Sequence, residues 1–416
     1  MAVKRIVVVG GGPAGMMAAI RASSLGQDVT LVEKNASLGR KLLLSGKGRC
    51  NLTNACDLDS FLKRFSHTGA FLRDAFKKFF NQELMQFFEK RGVKLKIERQ
   101  QRVFPVVDRS DSILKVLEKE LHTLCVNILY KARMKDILLH PNLKGVKGLI
   151  LEGGKLILAD RIILATGGIS YSFTGSTGEG IDLAKRLGHS TTPLRPGLVA
   201  LEVRQKYPKA LQGLTLKNIR LKFSDGRRQI VSDIGELLFT DSGISGPLVL
   251  TLSGQICDWL AQGQSVFVEI DLKPALSREQ LHARLLRDFK QNSKKSIKNT
   301  LKELLPQKCG KLFMEILRID PHRPSAQTTR SERDALISLL KGFKMNILKA
   351  APLEQAMVTR GGVSLREINP RTMESRRIKG LYFCGEMIDI DADTGGFNLQ
   401  AAFSTGYLAG ESASLS

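Results

Sequence analysis

At 416 residues the chain is longer than one hydrophobic core usually serves, so two or three domains are expected, and 43% apolar residues suffice to pack them. No run approaches the roughly 20 consecutive apolar residues of a membrane span, the first strand begins too early to leave room for a signal peptide, and six cysteines without a Cys-x-x-Cys pair argue against a redox disulfide or the common zinc spacings. The 64 Lys and Arg against 40 Asp and Glu give a net charge of +24, a field that draws polyanions; no metal is expected, and reduced thiols in a cytoplasm are the simplest reading.

The run Ile6-Val7-Val8-Val9 reads as a short buried strand followed by Gly10, Gly12, Pro13, Ala14 and Gly15. Gly10 makes a tight turn, Gly12 lets a pyrophosphate approach the backbone, and Gly15 lets the helix from Ala14 to about Ser24 pack closely on the strand. The amides opening that helix, with the positive end of its dipole, receive the diphosphate. A second apolar run, Val29-Thr30-Leu31-Val32, ends in Glu33 and Lys34. Glu33 is placed to accept hydrogen bonds from the ribose hydroxyls of an adenosine. The glycine spacing is a weak signal in isolation. Set inside strand, turn, Ala-rich helix, Gly26 and an acid-ended strand, it points to a dinucleotide rather than to a ligand-free Gly-rich turn.

FAD rather than NAD is suggested by the next stretch. Gly39-Arg40-Lys41 leads to Ser45-Gly46-Lys47-Gly48-Arg49-Cys50-Asn51-Leu52-Thr53-Asn54, a loop too rich in donors to be plain linker. Arg40, Lys41, Ser45, Gly46, Asn51 and Thr53 are candidates for the diphosphate and the polar edge of an isoalloxazine. Cys50 is the candidate catalytic residue, a thiol able to protonate a carbon, although burial is the ordinary fate of cysteine. Helical spacing predicts helices at 61–65, 71–80, 83–90 and 113–124, and strand material at 127–139. Asp160 to Gly168 is an apolar strand ending in Thr-Gly-Gly; it is similar to a segment that many two-dinucleotide flavoproteins carry next to the FAD, a resemblance that makes Ala165, Thr166 and Gly167 candidates for the cofactor. Gly175 to Gly180 has its glycines in the wrong phase for a second dinucleotide unit. NAD(P)H, as electron donor, therefore has to bind transiently over the flavin. The histidines, His67 among them, fall in no motif.

Beyond residue 192 the pattern changes. Residues 193–275 alternate apolar with polar, as in Leu198 to Val203, Ile219 to Phe223 and Ser265 to Ile270, and read as a β-rich domain. Residues 276–351 are helical and basic, and 352–416 return to the fold of 1–192. There Gly380-Leu381-Tyr382-Phe383-Cys384-Gly385-Glu386 is a strand-like run, and Gly395-Gly396-Phe397-Asn398-Leu399-Gln400 opens a small-residue helix. In similar folds a Gly-Asp pair often binds the ribityl chain or diphosphate, and Gly385 and Glu386 stand in that place with a longer acid. Gly396 permits close approach, and amides near Asn398, Leu399 and Gln400 favour negative charge at the flavin pyrimidine edge by about 1 kcal/mol per contact. The fold class is thus α/β, a split Rossmann-like FAD-binding domain with an inserted β-rich, barrel-like domain and a helical domain.

These motifs, together with Leu238-Phe239-Thr240, Gly243-Ile244-Ser245-Gly246-Pro247 and Gly361-Gly362-Val363, resemble the bacterial NAD(P)/FAD-dependent oxidoreductases, also called NAD(FAD)-utilising dehydrogenases. The resemblance spans nearly the whole chain in the family's order. It implies a FAD domain made by both chain ends around the inserted domains. Its members include an amine (aminoacetone) oxidase, a bile-acid enone reductase and a ribosomal RNA dihydrouridine synthase.

Charge then weighs between these activities. Residues 276–350 carry 17 Lys and Arg against 7 Asp and Glu, and residues 61–102 carry 11 against 4. Such clusters suit phosphate neutralisation and counterion release on RNA, although Lys-rich helices are often only solvated faces and weak membrane-surface attraction is a further option. The expectation is a FAD-dependent reductase delivering hydride to an electron-poor double bond, a uridine of ribosomal RNA first and without stable membrane association. The alternative is a small-molecule amine oxidase or enone reductase whose basic surface is incidental.

Overall fold

A computed structural model describes residues 2–65, 68–141 and 145–416; His67 lies outside them. The chain forms two compact units, Met1–Gly197 with Leu353–Ser416, and Leu198–Pro352.

The first unit is built on a parallel sheet of β1 (Arg5–Val9), β2 (Asp28–Val32), β3 (Asn127–Leu129), β4 (Arg161–Leu164) and β5 (Leu381–Phe383), in the order β5-β4-β1-β2-β3. These short runs of Val, Ile and Leu are nearly continuous in apolar residues because a parallel sheet is covered on both faces. The register Ile162↔Leu381, Ile163↔Tyr382 and Leu164↔Phe383 adds the C-terminal strand directly to the N-terminal sheet. Residues 127–139 do not form one strand. The backbone turns at Lys131, whose φ is +53°, so Asn127–Leu129 joins the parallel sheet while Met134–Leu139 pairs antiparallel with Val146–Leu151.

Two helices pack across this sheet, α1 (Pro13–Ser24) and α2 (Phe397–Leu415). Gly406 and Gly410, four residues apart on α2, make the close approach possible: Cβ atoms there would lie 2.2 Å from the Ala14 carbonyl oxygen and 2.4 Å from that of Ala18. The short helices of 58–89 cover one end with a phenylalanine cluster, in which Phe61 meets Phe397 edge-on with ring centroids 4.7 Å apart. The first of them is Leu58–Leu62, not 61–65, because Asp57 caps it, accepting from the Ser60 N–H at 2.9 Å.

The second unit is a closed antiparallel barrel of six strands: Thr215–Ser224, Gly235–Phe239, Gly243–Ser245, Leu201–Val203, Phe343–Ala350 and Val266–Asp271. The pairing of Thr215–Ser224 with Val266–Asp271 closes the ring and leaves no free edge among these strands. The helical stretch of 276–341 is an insertion between two neighbouring barrel strands, Val266–Asp271 and Phe343–Ala350. That is why its helices share the barrel's core, with Leu281, Leu285, Phe313 and Leu336 buried beside Val268 and Met345. No helix among the described residues is long and apolar enough to cross a membrane.

A candidate FAD site

The N-terminal glycines are placed by backbone crowding. Gly10 has φ +108°, and a Cβ there would sit 2.5 Å from the Ala165 carbonyl oxygen. A Cβ on Gly15 would sit 1.8 Å from the Gly10 oxygen, whereas a Cβ on Gly12 would have nothing within 4 Å. The turn is therefore tight beneath and open above. Pro13 occupies the first helical position, where its missing N–H costs nothing. The first helical bond is Met16 N–H to Gly12 O at 2.9 Å, and the N–H groups of Gly12, Ala14 and Gly15 have no acceptor among the described residues. Three free donors at the positive end of α1, facing open space, suit a diphosphate.

Glu33 is buried at the end of β2. Its Oε2 accepts from the Gly11 N–H at 2.7 Å, and its Oε1 accepts from the backbone and side-chain nitrogens of Asn35 at 2.8 and 2.7 Å. These bonds fix the carboxylate beside the turn, filling Oε1 and leaving one lone pair on Oε2 for a ribose hydroxyl. Asn35, which the sequence does not single out, also donates to the Thr174 carbonyl at 3.2 Å and accepts from Arg40 at 2.7 Å. Lys34 is committed elsewhere, donating to Thr177 Oγ1 at 2.7 Å and pairing with Glu179 at 2.8 Å. Burial pushes the Glu179 carboxyl up, but hydrogen bonds from Arg133, Lys34 and Thr177 outweigh it and hold the group at about 2.

A polar knot joins three distant segments. Lys41 Nζ lies 2.6 Å from both Ser170 Oγ and Glu386 Oε2. Glu386 Oε1 accepts from Ser170 Oγ at 2.7 Å and from the Thr359 N–H at 2.7 Å. Burial pushes the Glu386 carboxyl up, while the Lys41 charge and these hydrogen bonds pull it down and win, so it stays below the usual carboxylate range. Next to it Gly385, with φ +72°, approaches α1 so closely that a Cβ would meet Ala14 Cβ at 2.8 Å. Thr166 lies at the end of β4 with its hydroxyl toward Met387 Sδ, 3.9 Å away, and Gly167 has φ +75°.

The loop 45–54 and the start of α2 form a second centre. Gly396, φ +98°, packs on Thr53, whose carbonyl oxygen a Cβ would meet at 2.4 Å. With its amide oriented to satisfy its neighbours, Asn51 accepts from the Gly396 N–H at 3.1 Å and donates to the Thr53 carbonyl at 3.2 Å. Thr53 Oγ1 donates to Gln400 Oε1 at 2.6 Å, and Asn398 bonds back to both backbone groups of Ala392 at 3.0 and 2.9 Å. The side chains of Asn398 and Gln400 thus fasten the turn. The free N–H groups are those of Phe397, Asn398 and Leu399, since the first helical bond runs from Gln400 N–H to Gly396 O at 3.1 Å. Ser45 donates to Leu42 O at 2.7 Å, and Gly46, with φ +57°, lies against the Asn51 N–H.

Cys50, the candidate proton donor, has no accessible surface and adopts φ +61°. Burial pushes its thiol up to about 12, against a hydrogen bond with Ser45. Cys50→Ala is therefore expected to keep the bound flavin and to hold turnover within about threefold, with the loss showing in stability, as for other small buried truncations. A hundredfold fall in turnover at unchanged flavin content would return the thiol to the chemistry.

FAD fits this arrangement. Free helix amides at two N-termini, an acid beside the first and glycines wherever a side chain would intrude match a diphosphate, an adenosine ribose and a flat ring system. The N-terminal glycines and Glu33 were legible because their demands are local. Asn35, Ser170 and Thr359 carry no motif, whereas the Gly406-x-x-x-Gly410 spacing was a signal of helix contact.

Comparison with known proteins agrees. The chain matches the HI0933-like protein Rossmann domain family over residues 4–412. It is 33% identical over 413 residues, 98% of each chain, to the 3-dehydro-bile acid Δ(4,6)-reductase of Clostridium scindens. It is 29% identical over 403 residues, 96% of each, to the ribosomal RNA dihydrouridine synthase of Escherichia coli. Among solved structures, 3-ketosteroid Δ1-dehydrogenase of Sterolibacterium denitrificans superposes with a TM-score of 0.54 at 12% identity, covering 100% of both chains, a likeness of fold. By its match from residue 4 to residue 412, the chain belongs to the HI0933-like Rossmann family and is a FAD-dependent oxidoreductase.

Proposed function

We propose that the enzyme reduces a carbon–carbon double bond conjugated to a carbonyl in a small, steroid-like substrate, with NAD(P)H as electron donor. The supporting observation is the relative of 33% identity, named as a bile-acid Δ(4,6)-reductase and matched across the full length. Bound FAD supplies the hydride-transfer chemistry. The chain's own part is to orient the cofactor through the amides at α1 and α2 and to keep the turns rigid through the Lys41–Glu386 and Thr53–Gln400 ties.

RNA as substrate is the second reading. A uracil ring presents the same conjugated double bond, so the reaction class does not separate the two; the size and charge of the substrate do. In its favour stand the charge of +24 and the lysines 290, 294, 295, 298 and 302, whose side chains have no partner among the described residues. One experiment separates the readings. The enzyme, reduced anaerobically with NADH or NADPH, is mixed with a 3-oxo-4,6-diene steroid or with unmodified ribosomal RNA. Rapid return of the oxidised flavin spectrum with the steroid and not with RNA is expected. Reoxidation by RNA with formation of dihydrouridine, and none by the steroid, would reverse the assignment.

A further inference from the structure

The hairpin loop Arg99-Gln100-Gln101 joins the strands Leu95–Ile97 and Arg102–Pro105. Gln100 and Gln101 both lie in the left-handed region, with φ +59° and +58°. Two successive non-glycine residues there are uncommon, and they persist only where the surroundings over-determine them. Here they do. The Arg99 carbonyl accepts from its neighbour Arg102 Nε at 3.1 Å, the Gln100 carbonyl from Asn54 Nδ2 at 2.9 Å, and the Gln101 carbonyl from the Ala55 N–H at 2.8 Å.

Asn54 is buried, and the same amide nitrogen also donates to the Gly395 carbonyl at 3.2 Å. One side chain thus fastens the loop to the Gly395–Gly396 turn that opens α2. While the loop's three carbonyls are all engaged, its side chains are not: Arg99, Gln100 and Gln101 are exposed and have no side-chain partner among the described residues. A rigid backbone that carries one unpaired guanidinium and two unpaired amides, tied to the edge of the cofactor site, has the form of a recognition element.

We propose that Arg99, with Gln100 and Gln101, binds the carboxylate of an acidic substrate and positions that substrate at the flavin site. The guanidinium fork matches a carboxylate in two parallel hydrogen bonds, and the flanking amides add donors that a neutral substrate does not need. This assignment rests on the small-molecule reading above and specifies the substrate class as an enone acid. Arg99 holds the substrate by its carboxylate and takes no part in the bond that changes.

The test uses the FAD-loaded enzyme with two probes, a 3-oxo-4,6-diene steroid bearing a free side-chain carboxylate and its methyl ester. Binding is followed by perturbation of the flavin spectrum and turnover by steady-state kinetics. The wild type is expected to prefer the acid. In Arg99→Ala the acid-to-ester ratio of both Kd and KM is expected to rise about tenfold, the size of a lost charge-assisted hydrogen bond, with the change falling on KM rather than on kcat.

Gln101→Gly separates recognition from strain. Glycine adopts the left-handed conformation freely, so a purely structural loop would show a higher thermal midpoint and an unchanged acid-to-ester ratio. Recognition predicts a higher ratio with that same higher midpoint. Wild-type ratios in both variants, or a wild type that does not distinguish acid from ester, overturn the role of the loop and leave enone reduction standing. A wild type that neither binds nor reduces either probe overturns both.

Discussion

Gly15→Ala is expected to yield protein that no longer retains its yellow cofactor and that unfolds at markedly lower urea. The new methyl would stand 1.8 Å from the carbonyl oxygen of Gly10, inside any possible contact distance. Both partners are backbone, so no rotamer change relieves the clash; α1 has to move off β1. Overpacking that side chains absorb costs about 1–3 kcal/mol, and here the helix itself is displaced, so a loss of about 3 kcal/mol is expected. The same displacement moves the free N–H groups of Ala14 and Gly15, which is why cofactor binding fails together with stability. Gly26→Ala is the control. Gly26 has φ +76° but nothing within 4 Å of the Cβ position, so only the conformational penalty of about 1 kcal/mol applies and the flavin stays. The checks are the ratio of flavin to protein absorbance and urea unfolding. A Gly15→Ala protein with full flavin content would show that the amides of α1 do not hold the diphosphate.

Glu386→Ala is expected to cost about 2 kcal/mol, between the values for exposed and fully buried ion pairs, because the Lys41–Glu386 pair is part-buried. It leaves the Lys41 ammonium, 24% exposed, without its counter-charge, and it frees the Thr359 N–H and the Ser170 hydroxyl. Lys41→Met in the same chain should recover part of that loss, because the uncompensated charge is then gone; a coupling of at least 1 kcal/mol between the two substitutions is the signature of the pair. The pH dependence has a definite sign. The folded-state pKa of Glu386 lies below its unfolded value of about 4.3. Its contribution is therefore fully present above that unfolded value and is lost as pH falls through the folded one. Wild-type stability should drop more steeply on acidification than that of Glu386→Gln, measured by urea unfolding from neutral pH into the acid range. Parallel curves would mean that the pair contributes nothing to the fold.

The two halves of the chain differ in how readily their roles are read. In 5–33 each residue answers a demand set within a few neighbours: a buried parallel strand needs an apolar run, a turn against Ala165 needs Gly10, and a helix lying on its strand needs Gly15. Such demands restrict residue type and so are written in the sequence. The apolar run at 381–383 was legible for the same reason, whereas its register beside β4 was not, because a strand apolar on both faces loses little by slipping one residue.

What only the tertiary structure decided is pairing between groups that sequence places far apart. Lys41 reads as a cation for a phosphate, yet Glu386, 345 residues away, takes its charge. Gln400 reads as a flavin contact, yet its side chain bonds to Thr53, and Cys50 reads as an acid, yet the fold encloses it. The barrel likewise depends on the contact between Thr215–Ser224 and Val266–Asp271, which alternation of apolar and polar residues allows but does not dictate. The sequence by itself determined the dinucleotide turn, the split domain and the family. The use of each polar side chain was settled by packing, because hydrogen bonding between side chains depends on which surfaces the folded chain brings together, and residue type leaves that open.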